Sequence, residues 1–176
     1  MNLLLEGLRK IITVFETEKI PYMIVGGFAM SYYNRARFTA DIDVILQIYP
    51  HSIAKIVQHF PDWLPFLDGF KDSAERGTVF NLTDFETGVK YDFMLYKDSD
   101  YNWEAFGRRR RADFLGIECW ISTPEDLVIS KLIWYGISKS EKQKGDIAFL
   151  INETKLDKAY IDHWVSHLNI LRYGIF

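Results

Sequence analysis

Three acidic residues carry most of the chemistry that this sequence can do. Asp41 and Asp43 flank Ile42 in the run Thr39-Ala-Asp-Ile-Asp-Val-Ile-Leu46, and Asp92 stands in Val89-Lys-Tyr-Asp-Phe-Met-Leu95. On an extended strand, residues two apart share a face. Asp41 and Asp43 therefore project together, while Ile42 and Val44 point the other way into a core. Two carboxylates on one face repel each other and do nothing for folding, whereas a divalent cation between them removes the repulsion. Magnesium prefers oxygen ligands and uses one or two carboxylates together with substrate phosphates. Asp92 is a candidate for the third carboxylate that a two-metal phosphoryl-transfer site needs. It is the one acid of a mostly apolar strand and shares its face with Lys90 and Met94, while Tyr91, Phe93 and Leu95 face away. Each signal alone has a plainer reading: an Asp-x-Asp pair on a solvated edge or paired with Arg35 and Arg37, and an acid at a strand end.

Two glycines precede the aspartates. Gly26-Gly27 interrupts the apolar strand Tyr22–Val25 just before a helical stretch, Phe28–Tyr33. A Gly-Gly turn there lets backbone approach a ligand closely, and a helix start presents N–H groups to phosphate. Most Gly-Gly pairs are only tight turns; their order relative to the aspartates is what gives this one meaning. Lys131 lies on the apolar stripe of a later helix, where a lysine either snorkels outward or reaches an anion.

Several weaker signals remain. Arg108-Arg-Arg-Arg111 is the densest positive charge, read either as a solvated, acid-paired stretch or as a phosphate or RNA contact. His163 and His167 are four apart on a predicted helix, but no third ligand follows, so packing or surface roles are expected. Cys119 reads as a small buried hydrophobe. The tryptophans read as core rather than as base-stacking platforms.

The elements that must position these residues follow from periodicity. Leu4, Leu5, Leu8, Ile11, Ile12 and Phe15 recur at helical spacing ahead of Pro21. A second strand is expected over Thr39–Ile48 and a helix over His51–Phe60, with a loop and a short helix over Pro61–Gly77. Thr78–Leu82 and Val89–Leu95 form a predicted hairpin. Trp103–Arg111 reads as helix or loop, and Ile117–Ile121 as a short strand. Ser122-Thr-Pro-Glu-Asp126 is a helix start with a hydroxyl cap, an early proline and acids at the positive end of the dipole. That helix is expected to reach about Tyr135, with two more near Lys142–Ile151 and Lys155–Leu168. This order predicts an α/β (α+β) fold with a small mixed sheet flanked by helices. Residues 1–121 would form the core and 122–176 a C-terminal helical extension packed on the same domain.

Bulk properties narrow the function. The chain has 176 residues, 48% hydrophobic and 26% charged, which suits one ordered domain. A net charge of −3 does not advertise nucleic-acid binding. One cysteine excludes an internal disulfide and fits a reducing compartment. The N-terminal segment is broken by Glu6, Arg9 and Lys10, so neither a signal peptide nor a membrane span is expected, and the cytoplasm is the expected location.

Taken together, Gly26-Gly27, thirteen intervening residues and then Asp41-Ile-Asp43-Val44 resemble the signature of the DNA polymerase β-type nucleotidyltransferase superfamily. The approach Arg37-Phe-Thr39 is similar to the minimal bacterial branch, which includes the abortive-infection toxin-type enzymes. Ser122–Leu132, Ser140-Glu-Lys-Gln143, Asp146-Ile147, Leu156–Tyr160 and Trp164 resemble a group of largely uncharacterised bacterial nucleotidyltransferases. The resemblance implies that Asp41 and Asp43 bind magnesium and that Asp92 is the third metal-site carboxylate, aligning the acceptor hydroxyl and acting as its base. It implies that Gly26, Gly27, Arg37, Thr39 and Lys131 contact a nucleoside triphosphate such as ATP, with Asp146 in support. The expected activity is transfer of a nucleoside monophosphate to a tRNA, a protein or a small molecule. A toxin–antitoxin or defence setting and a partner protein belong to that expectation. The competing reading is a catalytically silent nucleotide-binding or protein-interaction module.

Overall fold

A computed structural model describes residues 3–34 and 41–176. Arg37 and Thr39 lie outside the described residues.

The first helix, α1 (Leu3–Thr17), buries Leu8, Ile11, Ile12 and Phe15, the apolar stripe expected from their spacing. It lies close against the sheet because Gly7 has no side chain: a Cβ there would stand 2.7 Å from Cγ2 of Val89. The Gly7 carbonyl accepts a hydrogen bond from the Tyr91 hydroxyl at 2.9 Å. Strand β1 (Tyr22–Ile24) follows, then the short helix α2 (Gly26–Tyr32) and strand β2 (Asp41–Leu46).

The next segment is helical in short pieces, and after Pro61 more so than its sequence suggests. A 3-10 turn at Pro50–Ile53 runs into α3 (Ala54–Val57), which stops three residues short of the expected end at Phe60. A second 3-10 turn, Pro61–Phe66, runs into α4 (Leu67–Glu75), where a loop with a short helix was expected. The prolines obscure this. Proline is tolerated in a first turn, where its missing N–H has no intrahelical acceptor. Trp63 anchors the segment: its ring is buried and its Nε1 donates to the Thr83 carbonyl at 2.9 Å.

Strands β3 (Phe80–Thr83) and β4 (Lys90–Leu95) form the expected hairpin. Helix α5 (Asp100–Gly107) leads into β5 (Arg110–Asp113) and β6 (Glu118–Ile121). The remaining helices are α6 (Pro124–Ser138), α7 (Glu141–Glu153) and α8 (Lys158–His167). Thr123 caps α6, its Oγ1 accepting from the Asp126 N–H at 3.2 Å. Among the described residues, six strands form one mixed sheet in the order β3-β4-β2-β1-β6-β5, an α/β fold.

The two faces of this sheet have different fates. Tyr22, Ile24, Ile42, Val44, Tyr91 and Phe93 pack with α1, α3 and α4 into the main core. A second apolar cluster joins Ala29 and Met30 of α2 to α6, α7 and α8. The opposite sheet face carries Met23, Ile45 and Met94, paired in register across three adjacent strands, and it opens into a cleft. No helix among the described residues is long and apolar enough to cross a membrane.

Candidate active site

Parallel pairing of β2 with β4 assembles the acids. In this register Asp41 stands opposite Lys90, and Asp43 opposite Asp92. Residues paired across parallel strands share a face. Asp41, Asp43, Lys90 and Asp92 therefore mark the corners of one charged rectangle, while their neighbours Ile42, Val44, Tyr91 and Phe93 are fully buried on the core side. The row Met23-Ile45-Met94 lies one pleat step away and makes an apolar floor.

The glycine turn abuts these carboxylates. Gly27 N–H donates to Asp43 Oδ2 at 3.2 Å, and Val25 N–H to the Asp43 carbonyl at 3.0 Å. Gly26 has φ +61, and a Cβ there would stand 2.0 Å from Asp43 Oδ2 and 2.5 Å from its Cγ. The turn expected to cradle phosphate thus first orients Asp43, and one of its N–H groups is committed to that carboxylate. Gly26→Ala is expected to cost about 1–2 kcal/mol from left-handed backbone alone, and more from the displaced carboxylate. Urea unfolding measures the first effect. Loss of metal-dependent nucleotide binding beyond what the stability change explains measures the second.

Electrostatics are strained by design of the register. Burial pushes the Asp43 carboxyl above its ordinary 3.8, and the Asp92 and Asp41 carboxylates push it the same way. The Gly27 N–H and the Lys131 ammonium pull it back. The Lys90 ammonium lies 2.9 Å from Asp92 Oδ1 and donates to Oδ2 at 3.1 Å. That carboxylate in turn holds the Lys90 ammonium above its ordinary 10.5.

Lys131 of α6 lines the same cleft with only 5% of its surface exposed. Its Nζ is 2.8 Å from Asp146 Oδ2 and 3.3 Å from Gln143 Oε1, both on α7. Of the two readings that the sequence left open, the side chain does not snorkel outward: it reaches an anion, Asp146, in a buried ion pair at the border of the cleft.

The structure adds a group that the sequence presented only as helix-capping acids. Glu125 and Asp126 are each 3% exposed. Asp126 accepts from the Thr123 hydroxyl at 2.5 Å and from the Tyr160 hydroxyl at 2.7 Å, and burial raises its pKa. Arg108 lies 3.5 Å from Glu125 and 3.8 Å from Asp126, with its guanidinium 3.8 Å above the Tyr160 ring. Glu125 also accepts from the Asp157 N–H at 3.0 Å. This cluster ties α5, α6 and α8 together at the base of the helix that carries Lys131. Acids in a first helical turn look the same in sequence whether exposed or buried, so only the long-range Arg108 and Tyr160 contacts reveal them.

The arginine tract is correspondingly divided. Arg109 stacks on Phe106 and Trp120, at 4.1 and 4.9 Å to the ring centroids. Arg111 pairs with Glu16 at 2.8 Å and also covers Trp120. Among the described residues, no three His, Cys, Asp or Glu side chains stand close enough together to hold a metal ion. His163 and His167 simply stack, 5.9 Å apart. Cys119 is buried, its thiol pushed up to about 11 by burial. Trp63 and Trp164 are core residues, but Trp134 is half exposed and lines the cleft, one helical turn beyond Lys131.

The cleft itself measures about 760 Å³. It runs from the glycine turn and the three aspartates across the apolar floor to α5, α6 and the start of α7.

Residues 4–162 match the sequence family described as nucleotidyltransferase of unknown function (DUF6036). No curated protein matches the chain. Among solved structures, the chain is similar to the antibiotic-resistance factor ANT(2'')-Ia, at 13% identity over 96% of this chain and 93% of that one, with a TM-score of 0.61. It is similar to a putative nucleotidyltransferase from Thermotoga maritima at 16% identity, covering 80% and 90% of the two chains, with a TM-score of 0.57. It is also similar to the lincomycin-bound lincosamide antibiotic adenylyltransferase LnuA, at 15% identity over 85% and 97%, with a TM-score of 0.55.

Proposed function

The chain belongs to this family of nucleotidyltransferases, and from that premise we propose that it transfers a nucleoside monophosphate from a nucleoside triphosphate to an acceptor hydroxyl, with magnesium as cofactor. The observation that carries this reading is the placement of Asp41, Asp43 and Asp92 on one face of the β2/β4 pair, at the edge of a cleft large enough for a nucleotide and a small acceptor.

The residues fit a hard cation. The donors are all carboxylate oxygens, and Asp92 Oδ1 is buried with the Lys90 ammonium 2.9 Å away but receives no aligned hydrogen bond. The three acids do not close on one another by themselves. Magnesium does not require that, because phosphate and water complete its shell. When bound, the metal would neutralise charge on the triphosphate during transfer.

The chain's own residues supply the rest. Asp41 and Asp43 would hold the metal, with Asp43 oriented by Gly27. Asp92 would orient the acceptor hydroxyl and take its proton as the bond from the acceptor oxygen to the α-phosphorus forms and the bond to departing pyrophosphate breaks. Lys131 would face the phosphates, and Gly26, Arg37 and Thr39 would complete the nucleotide contacts. Residues 1–121 would build this site, with the helices of 122–176 closing it on one side.

A small-molecule acceptor fits better than a nucleic acid. Arg108, Arg109 and Arg111 are engaged with acids and rings of the protein itself, so the tract does not form a continuous phosphate-tracking groove. The relatives point the same way: one is lincomycin-bound, and ANT(2'')-Ia is known in complex with adenylyl-2''-tobramycin. A cytoplasmic defence or toxin–antitoxin role rests on the resemblance in sequence and would be tested by toxicity of the active chain in a bacterial host.

Calorimetric titration of each nucleoside triphosphate with magnesium tests the assignment, on the wild type and on Asp41→Asn/Asp43→Asn. Binding that requires both the metal and the aspartates is the expected result. Equal binding by the two proteins would remove the acids from the site. No binding by the wild type would favour an interaction module.

A further inference from the structure

The charged rectangle of β2 and β4 contains one cation of its own. Three of its corners are carboxylates, and the fourth is Lys90, directly opposite Asp41 and two residues before Asp92. Its ammonium approaches both oxygens of Asp92, at 2.9 and 3.1 Å. The pair is not a solvated surface bridge of the usual kind: the Asp92 side chain is 17% exposed and that of Lys90 38%. An ammonium and a divalent cation seek the same feature, the negative edge of a carboxylate. They cannot both take the same oxygen at bonding distance, and two positive charges within a few ångström repel.

We propose that Lys90 is a resident counter-cation that competes with the divalent metal for Asp92, so that metal and nucleotide must displace its ammonium before Asp92 can serve the reaction. The proposal rests on the nucleotidyl-transfer reading of the same site. Three features support displacement rather than permanent pairing. Lysine is a flexible point charge with no fixed bidentate geometry. Its stem is partly exposed, so it has solvent to swing into. Only Oδ2 of Asp92 receives an aligned hydrogen bond, although Oδ1 is equally near the charge.

The device has a clear use. Without a cation, Asp41, Asp43 and Asp92 repel within one face, and Lys90 offsets part of that repulsion. With metal and triphosphate present, the incoming cation takes over that role and the ammonium becomes available to the phosphates. Metal alone is then a weak ligand, and metal with nucleotide a strong one.

Manganese binding followed by electron paramagnetic resonance tests this on the wild type, Lys90→Met and Lys90→Arg, with and without a non-hydrolysable nucleoside triphosphate. Removing the charge in Lys90→Met is expected to tighten manganese binding about tenfold, and Lys90→Arg to stay within about twofold of the wild type. The gain should shrink as salt is raised. Thermal unfolding supplies a second readout: Lys90→Met should melt below the wild type without metal and recover when manganese is added. Equal or weaker manganese binding by Lys90→Met, with the wild type binding normally, overturns the role of Lys90 alone. Failure of every protein to bind manganese under either condition overturns the metal-site reading, and this proposal with it.

Discussion

Asp43→Asn is expected to lower nucleotidyl transfer by roughly 10³-fold or more, because in the proposed mechanism it removes one of the carboxylates that would hold the metal of the triphosphate. The same change is expected to leave the fold intact or slightly firmer. An asparagine oxygen can still accept the Gly27 N–H, and the repulsion from Asp41 and Asp92 disappears. A residue kept for stability would behave in the opposite way. The pH dependence makes the distinction sharper. Burial and the neighbouring acids raise the folded-state pKa of Asp43 above its ordinary 3.8. A carboxyl whose folded pKa is raised contributes stability that is full below the unfolded value and is lost as pH rises through the folded value. The wild type without metal should therefore lose stability relative to Asp43→Asn as pH rises from about 4 towards neutrality. Urea unfolding of both proteins across that range gives the comparison. A variant that is markedly less stable at neutral pH would make Asp43 structural and undo this account.

The second large effect concerns the Lys131–Asp146 pair. Asp146 is fully buried and Lys131 is 5% exposed, so removing either partner strands a charge away from water. Asp146→Leu alone, or Lys131→Met alone, is expected to destabilise the protein by about 3–5 kcal/mol. The double variant Lys131→Met/Asp146→Leu should recover much of that loss, because a buried ion pair exchanged for apolar groups of similar size is often neutral. Function should not recover with it. Lys131 borders the cleft and its charge reaches Asp43, so the well-folded double variant should bind metal-triphosphate at least tenfold more weakly than the wild type. Nucleotide affinity equal to the wild type in the stable double variant would reduce Lys131 to a packing element.

How much of this could be read in advance depended on range. Alternation of acid and apolar residues over 41–46 and 90–95 determined which side chains share a face, and both strands formed as their patterns indicate. The stretch over 61–75 misled because proline and glycine usually break helices, whereas here Pro61 opens a 3-10 turn that leads into α4. The arginine tract misled for a different reason. Four like charges in sequence suggest one patch, but the chain changes from the end of α5 to strand β5 within them, and three of the side chains disperse: Arg108 to Glu125, Arg109 to Phe106, and Arg111 to Glu16 and Trp120.

By itself the sequence determined the local facts: the period-two placement of Asp41 and Asp43, the glycines before them, the capped start of α6 and the amphipathic stripe of α1. These depend on backbone geometry and side-chain size within a few residues. Only the tertiary structure decided that β2 runs parallel to β4 in the register that sets Asp43 against Asp92 and Asp41 against Lys90. It alone decided that the Gly26 position is shaped by the Asp43 carboxylate, and that Lys131 meets Asp146 across two helices. Strand register and helix docking are fixed by burial of the opposite, apolar face. The chemistry of this face is therefore a consequence of packing on the side that performs none.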